Sequence, residues 1–135
     1  MTPTLFVYGS LMPSCRGSFG KSMRARLLNE STLLGPATIQ GQLYDLGQYP
    51  ALVQHPDATG LVHGEVLTLA GPATTFAWLD AFEGIVPSRS GGNEYLRAER
   101  TIKLAAGQEL QAWIYIYTQD VSALVPIPSG RWTAV

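Results

Sequence analysis

The sequence predicts an α+β fold with a mixed, curved or barrel-like β-sheet. Strand-like segments outnumber helical ones, and they do not alternate with helices in the regular order of a parallel α/β protein. The 135 residues fit a single domain, 1–135, and no repeat, linker or low-complexity tract divides them. Hydrophobic residues make up 46% of the chain and charged residues 14%, which allows a sizeable core and excludes a chain that is disordered by composition.

The first half of the chain is predicted to begin with a buried strand. Thr4–Tyr8 is an apolar, β-rich run that ends at a glycine. Lys21–Glu30 has the spacing of a short helix, with Met23 and Leu27 on its apolar face and Leu28 as a further candidate for that face. The glycines and prolines between Leu33 and Val53 predict short strands and turns in that stretch.

The middle of the chain combines a strand with the clearest helix. Leu61–Leu69 alternates in the way that a strand requires. Ala73–Phe82 has apolar residues at helical intervals. Pro72 suits the first helical position and Gly84 suits the C-terminal cap, so both ends of this helix are marked.

A β-hairpin is predicted near the C-terminus. Tyr95–Leu104 and Leu110–Thr118 are strand-like runs separated by a turn that contains a glycine. Aliphatic side chains on the second strand alternate with aromatic ones that include Trp113 and Tyr115. The aromatic face either lines a cavity or fills a core; core filling is favoured for Trp113, and both interpretations stay open for Tyr115. Ser122–Val135 is predicted to be irregular.

Charge and cysteine content exclude several classes of partner. Nine basic against ten acidic residues give a net charge of −1 without any basic block, so no nucleic-acid partner is expected. Cys15 is the only cysteine, so it cannot form an intramolecular disulfide. His55 and His63 lack the neighbours of a metal site, and we expect no metal or organic cofactor.

Neither a secretion signal nor a membrane span is expected. The N-terminus lacks the pattern of a signal peptide. The longest hydrophobic run, Ala112–Tyr117, is far shorter than the roughly 20 residues of a membrane helix. We therefore expect a cytoplasmic protein without a membrane partner, and the sequence leaves the oligomeric state open.

The segment Tyr8-Gly9-Ser10-Leu11 is a candidate anion site. A glycine directly after a buried strand lets the chain turn sharply, so that successive amides can point into one concavity and bind carboxylate or phosphate oxygens. The alternative is a plain turn, which four such residues more often form. Ser10 lacks the frame of a nucleophilic serine, and no histidine is placed to activate it.

Glu83 is the candidate acid/base. It lies at the C-terminal end of the predicted helix, where the helix dipole disfavours a negative charge, and Asp80 one turn earlier adds repulsion. If the carboxyl group is buried, these effects raise its pKa, and it can then accept and return a proton near neutral pH. The alternative is an exposed glutamate at a helix end. Glu65 and Glu94 are rival carboxylates.

Together these segments resemble the gamma-glutamylcyclotransferase-like family, including its gamma-glutamylamine cyclotransferase branch. The similar segments follow the family's order over nearly the whole chain. They are Phe6-Val-Tyr-Gly-Ser-Leu11, Gly41-Gln-Leu-Tyr44, Gly47-Gln-Tyr-Pro-Ala51, Val62-His-Gly-Glu-Val66, Leu79-Asp-Ala-Phe-Glu-Gly84, Glu94-Tyr-Leu-Arg97 and Ala112-Trp-Ile-Tyr-Ile-Tyr117.

This resemblance implies a small β-barrel with flanking helices and a cavity at the end of the first strand. It implies that Tyr8, Gly9, Ser10 and Leu11 form a substrate-cradling loop, that Glu83 is the catalytic acid/base, and that Tyr95 and Tyr115 lie around the cavity. The implied reaction cyclises a gamma-glutamyl amine or amino acid to 5-oxoproline. Val86–Asn93 is longer than the family pattern leads one to expect, and it is either a lid or a plain loop.

Two other functions remain as alternatives. One is a non-catalytic module on the same fold that binds a small carboxylate-bearing metabolite. The other is an interaction protein whose aromatic hairpin face covers a partner, which would require exposed Trp113 and Tyr115 and no cavity beneath Gly9.

Overall fold

A computed structural model describes residues 2–55, 59–85 and 93–133. In chain order its elements are β1 (Thr4–Val7), α1 (Lys21–Asn29), β2 (Ser31–Gln40), β3 (Gln42–Asp45), β4 (Pro50–Val53), β5 (Leu61–Leu69), α2 (Pro72–Phe82), β6 (Tyr95–Leu104), β7 (Glu109–Tyr117) and β8 (Val125–Ile127). The predicted helices and the predicted hairpin are therefore present. Residues 86–92, which contain most of the candidate lid, lie outside the described residues.

Five strands form a closed barrel in the order β1-β5-β2-β6-β7. The barrel closes where β1 and β7 run parallel, with Leu5 opposite Trp113, while the other neighbouring strands are antiparallel. The remaining strands form a three-stranded sheet in the order β4-β3-β8. A barrel-like mixed sheet with two helices confirms the predicted α+β fold class.

Two local predictions were wrong. The stretch predicted to break into short strands begins instead with one long strand, β2, which crosses Gly35-Pro36 by means of a β-bulge between Leu33 and Gly35. The tail predicted to be irregular contains β8, which pairs with β3 through Leu43 and Ile127. In both places pairing with a strand distant in sequence overrides the local breakers.

The barrel strands contribute apolar residues to two separate cores. One face packs with α1 and α2 around residues such as Leu5, Leu67 and Leu79; we call this cluster the helix-side core. The other face packs with the three-stranded sheet around residues such as Val66 and Ile114; we call this the sheet-side core. The strand alternation seen in the sequence therefore divides apolar residues between two cores.

The short helix α1 buries Leu27 and packs Met23 against the helix-side core, as predicted, but it differs from the prediction at two other residues. Leu27 is fully buried, but Leu28 is 42% exposed, so its placement on the buried face was wrong. The side chain buried beside Leu27 belongs to Arg24. A charged residue on an apolar helix face needs specific partners, and these lie in the loop that follows β1.

Candidate functional site

A pocket opens at the C-terminal end of β1, between that strand, the end of α2 and the start of β6. Its volume is about 170 Å³, equivalent to roughly six water molecules at ~30 Å³ each, which suits a ligand about the size of one amino acid. We call it the strand-end pocket. It is lined by all seven predicted site residues, which are Tyr8, Gly9, Ser10, Leu11, Glu83, Tyr95 and Tyr115. Their catalytic and binding roles remain predictions.

The loop Gly9–Leu11 leaves its backbone amides free. None of the three N–H groups donates a hydrogen bond to a described residue. A Cβ atom at Gly9 would lie 2.6 Å from Cδ of Pro50, so a larger residue would push this loop away from β4. The turn therefore needs glycine because the backbone passes so close to the proline ring.

Arg24 fixes the orientation of this loop. Its guanidinium donates one hydrogen bond to the Ser10 carbonyl at 2.7 Å and another to the Gly17 carbonyl at 2.8 Å. In a trans peptide the carbonyl and the following N–H point in opposite directions, so the Leu11 amide points away from Arg24. Leu11 lines the strand-end pocket and Arg24 does not, which is the arrangement that an anion cradle requires.

Glu83 is held at the pocket by the end of α2. The helix closes with a Schellman motif, in which the Ile85 amide bonds the Asp80 carbonyl and the Gly84 amide bonds the Ala81 carbonyl. Gly84 has a φ of 80°, which glycine adopts without strain. Glu83 is the last residue before this left-handed turn, so its position relative to the pocket follows directly from the cap.

The environment of Glu83 favours its neutral form. Burial raises the pKa of its carboxyl group to about 8, and repulsion from Glu94 and then from Asp80 adds to the effect. The carboxyl accepts no hydrogen bond from the described residues that would offset this. A side chain with a pKa near 8 exchanges a proton readily at physiological pH.

Three tyrosine hydroxyls of the pocket donate hydrogen bonds to oxygen atoms of the protein. Tyr8 donates to the Tyr115 carbonyl, and Tyr95 donates to the Pro50 carbonyl at 2.8 Å. The Tyr115 hydroxyl donates to Oδ1 of Asp80 at 2.6 Å. Burial, above all, raises the pKa of each of the three, so they stay neutral.

Asp80 is the centre of a small polar network behind the pocket. Arg97 binds both of its carboxylate oxygens, with nitrogen–oxygen distances of 2.9 and 3.2 Å. The same guanidinium lies over the rings of Phe76 and Trp113, at 4.0 and 4.5 Å from their centroids. Arg97 faces Tyr115 across the hairpin.

The alternative of an exposed aromatic interface does not fit this geometry. Tyr115 is 4% exposed, Trp113 is partly buried beneath Arg97, and the cavity lies beneath Gly9. Both conditions set for that alternative are therefore absent. Trp113 fills the helix-side core, whereas Tyr115 belongs to that core and to the pocket wall.

Of the two carboxylates that were alternatives to Glu83, one lines the pocket and the other does not. Glu94 lines the strand-end pocket, whereas Glu65 accepts two hydrogen bonds from Ser14 and does not line it. Sequence reasoning missed the aromatic wall of the pocket formed by Phe19, Tyr49 and Phe82. The only signal for Tyr49 was its place in a similar segment, because its proximity to the pocket depends on the packing of the adjacent Pro50 against Gly9 and Tyr95, which are distant in sequence.

The described residues contain neither a membrane-spanning helix nor a metal-binding cluster. No helix there is long and apolar enough to cross a membrane. In the same ranges, no group of three or more His, Cys, Asp or Glu side chains is placed to hold a metal ion.

Comparison with known proteins identifies the family. Residues 5–134 match the family model described as gamma-glutamyl cyclotransferase, AIG2-like. The chain belongs to this family. A gamma-glutamylcyclotransferase family protein, YtfP, from Citrobacter rodentium is 36% identical over 129 residues, which cover 95% of this chain and 93% of that protein. The resemblance inferred from the sequence is thus confirmed.

Solved structures of this family share the fold. The solution structure of YtfP from Escherichia coli is 36% identical, covers 96% of this chain and 95% of its own, and superposes with a TM-score of 0.62. An AIG2-like protein from Mus musculus superposes with a TM-score of 0.67 over 90% of this chain and 80% of its own. At 20% identity, the second comparison shows the fold alone.

Proposed function

We propose that the protein is a cyclotransferase that converts a gamma-glutamyl amine or gamma-glutamyl amino acid to 5-oxoproline and releases the free amine. The observation that carries this proposal is a carboxyl group with a raised pKa, Glu83, lining the same small pocket as the free amides of Gly9–Leu11. Membership of the family supports it, and a cytoplasmic location is part of it.

The reaction needs a base first. Glu83 as the carboxylate takes a proton from the substrate's α-ammonium group. The freed amine attacks the γ-carbonyl carbon of the same molecule, and a new carbon–nitrogen bond closes a five-membered ring. Because nucleophile and carbonyl belong to one molecule, the pocket only has to fold the substrate into attack geometry, which removes much of the entropic barrier.

The second half of the reaction needs an acid. The backbone amides of Gly9, Ser10 and Leu11 bind the substrate α-carboxylate or the developing oxyanion. Glu83, now protonated, gives its proton to the leaving nitrogen as the original amide bond breaks. The ring nitrogen loses its second proton in the same step, and this proton leaves with the released amine, which becomes an ammonium ion. The products are 5-oxoproline and the amine, and no water is consumed. A pKa near 8 lets one carboxyl group serve in both steps.

Release of 5-oxoproline from a panel of gamma-glutamyl amines and amino acids tests this proposal. We expect turnover of at least one compound. Glu83→Gln keeps the side-chain shape but cannot transfer the proton, so we expect its kcat to fall by roughly 10²–10⁴-fold. Glu109→Gln makes the same change at an exposed position of β7 and should match the wild type.

Two results would contradict the proposed mechanism in different ways. Equal rates for Glu83→Gln and wild type would remove Glu83 from the chemistry. Thermal stabilisation by glutamate-like ligands without turnover of any compound would instead favour the non-catalytic binding module.

A further inference from the structure

The strand-end pocket carries more acidic than basic character. Two carboxyl groups line it, Glu83 and Glu94, and no Lys or Arg side chain of the described residues does. These two carboxyl groups give the pocket an acidic lining that no basic side chain of the described residues neutralises. A ligand that fits this pocket should carry the opposite net charge.

The electrostatic influence of Glu94 reaches across the pocket. Its carboxylate helps to raise the pKa of Glu83 by repulsion. After burial, it is the largest cause that raises the pKa of Tyr49, to about 12, and it also contributes to the raised pKa of Tyr95 and Tyr117. Glu83, Tyr49 and Tyr95 line the same pocket as Glu94.

The backbone around Glu94 is well fixed. Its carbonyl accepts a hydrogen bond from the Thr118 amide at 3.0 Å, which ties it to the end of the hairpin. A Cβ atom at Gly84 would lie 3.6 Å from Cβ of Glu94, so the residue packs against the cap of α2. Glu94 is therefore held beside the cap of α2 that carries Glu83.

Aromatic rings complete this part of the pocket. Phe19, Tyr49 and Tyr95 line it, and Phe19 stacks on Tyr49 with ring centroids 5.3 Å apart. Aromatic faces next to a carboxylate are the surroundings that proteins use to bind organic ammonium groups. A carboxylate-bearing group placed here would instead face a like charge with no cation of the described residues to offset it.

The hydroxyl groups point to the same ligand chemistry. The protons of Tyr8, Tyr95 and Tyr115 are donated to protein acceptors, and Tyr49 is hydrogen-bonded to Glu94. These tyrosines have no proton left to donate to a ligand, although their oxygens can accept. Apart from the loop amides that would take the α-carboxylate, the pocket suits a ligand rich in N–H donors.

We propose that Glu94 selects gamma-glutamyl amides whose leaving amine carries a second cationic group. This inference rests on the proposed cyclotransferase function and narrows its substrate class. A gamma-glutamyl unit is a zwitterion of zero net charge, so a leaving group with a second ammonium gives the substrate a net charge of +1. A leaving amino acid adds a carboxylate instead, and the net charge becomes −1.

Three gamma-glutamyl amides of similar length test this selection. They are the amides of 1,4-diaminobutane, pentylamine and 4-aminobutanoic acid, whose leaving groups carry a positive, a zero and a negative charge. We expect kcat/KM for release of 5-oxoproline to fall by at least tenfold from the first to the second and to fall further for the third. Equal values for the first two would overturn the inference and leave the cyclotransferase proposal intact.

Glu94→Gln, with Glu109→Gln as a matched control, tests whether Glu94 causes the preference for the cationic leaving group. We expect the kcat/KM ratio between the diaminobutane and pentylamine amides to fall towards one in Glu94→Gln. Glu109→Gln should keep the wild-type ratio, since Glu109 lies at the turn end of the hairpin, about eight residues or roughly 26 Å along the strands from Tyr95. A ratio that is retained in Glu94→Gln would also overturn the inference.

Calorimetric binding of the same three amides separates the two proposals. If no amide releases 5-oxoproline, the cyclotransferase proposal fails. Tighter binding of the diaminobutane amide that disappears in Glu94→Gln would then still support selection by Glu94. Equal binding of the three amides, or no binding of any, would overturn it.

Discussion

The two cores on either side of the barrel strands differ in their polar content. The sheet-side core is mainly aliphatic, with fully buried residues such as Val66 and Ile114. The helix-side core includes Tyr95 and Tyr115 of the pocket wall, and Arg97 lies against its aromatic rings. Tyr8 is the pocket tyrosine that belongs to the sheet-side core. The same strand β7 supplies Ile114 to one core and Tyr115 to the other. One core can therefore act as scaffold while the other holds a polar site.

The largest effect that tests this comparison is the response of stability to pH at Glu83. The pKa of Glu83 is raised to about 8 in the folded protein, above its value in the unfolded chain. Its contribution to stability is therefore fully present below about pH 4 and is lost as the pH rises towards 8. Glu83→Gln removes this loss, so we expect the variant to gain on the order of 4 kcal/mol relative to wild type between pH 4 and pH 9.

Urea unfolding of both proteins at the two pH values measures this difference. Comparing the variant with wild type at each pH cancels the titration of all other groups. If the difference in free energy of unfolding between the two proteins is the same at both pH values, the Glu83 carboxyl is well solvated. The helix-side core would then hold no buried ionisable group at this position.

The next effect concerns the aliphatic core. Ile114 is fully buried, so Ile114→Ala should lower the free energy of unfolding by about 3 kcal/mol. Ile116→Ala removes the same atoms from a partly buried position on the same face and should cost less. Urea unfolding distinguishes the two. If both variants lose the same small amount, the sheet-side core is less tightly packed than the scaffold role requires.

The smallest effect concerns the hydroxyl group that links the pocket wall to Asp80. Tyr115→Phe removes one hydrogen bond to a charged acceptor and should lower the free energy of unfolding by about 2 kcal/mol. In Tyr44→Phe the deleted hydroxyl makes no hydrogen bond with the described residues, and the change should stay within about 0.5 kcal/mol. If Tyr115→Phe lowers the free energy of unfolding as much as Ile114→Ala does, the two cores do not differ in how much they contribute to stability.

Strand periodicity explains which parts could be predicted from sequence. The alternation on β7 separates Ile114 from Tyr115 whatever the rest of the chain does, and the cap signals around α2 place Glu83 at a helix end. Arg24 could not be predicted as a buried residue, because its partners are carbonyls that only the folded loop brings together. The pocket contacts of Tyr49 likewise depend on the packing of the adjacent Pro50 against Gly9 and Tyr95, which lie far away in the sequence.

The hydrogen bonds of Arg24 have a consequence for the speed of ligand capture. The guanidinium satisfies the loop carbonyls of Ser10 and Gly17 before any ligand is present. The cradle is thus preorganised, and binding does not have to spend free energy on ordering that loop. Association at this site should then be limited by the encounter with the pocket mouth rather than by a slow rearrangement of Gly9–Leu11.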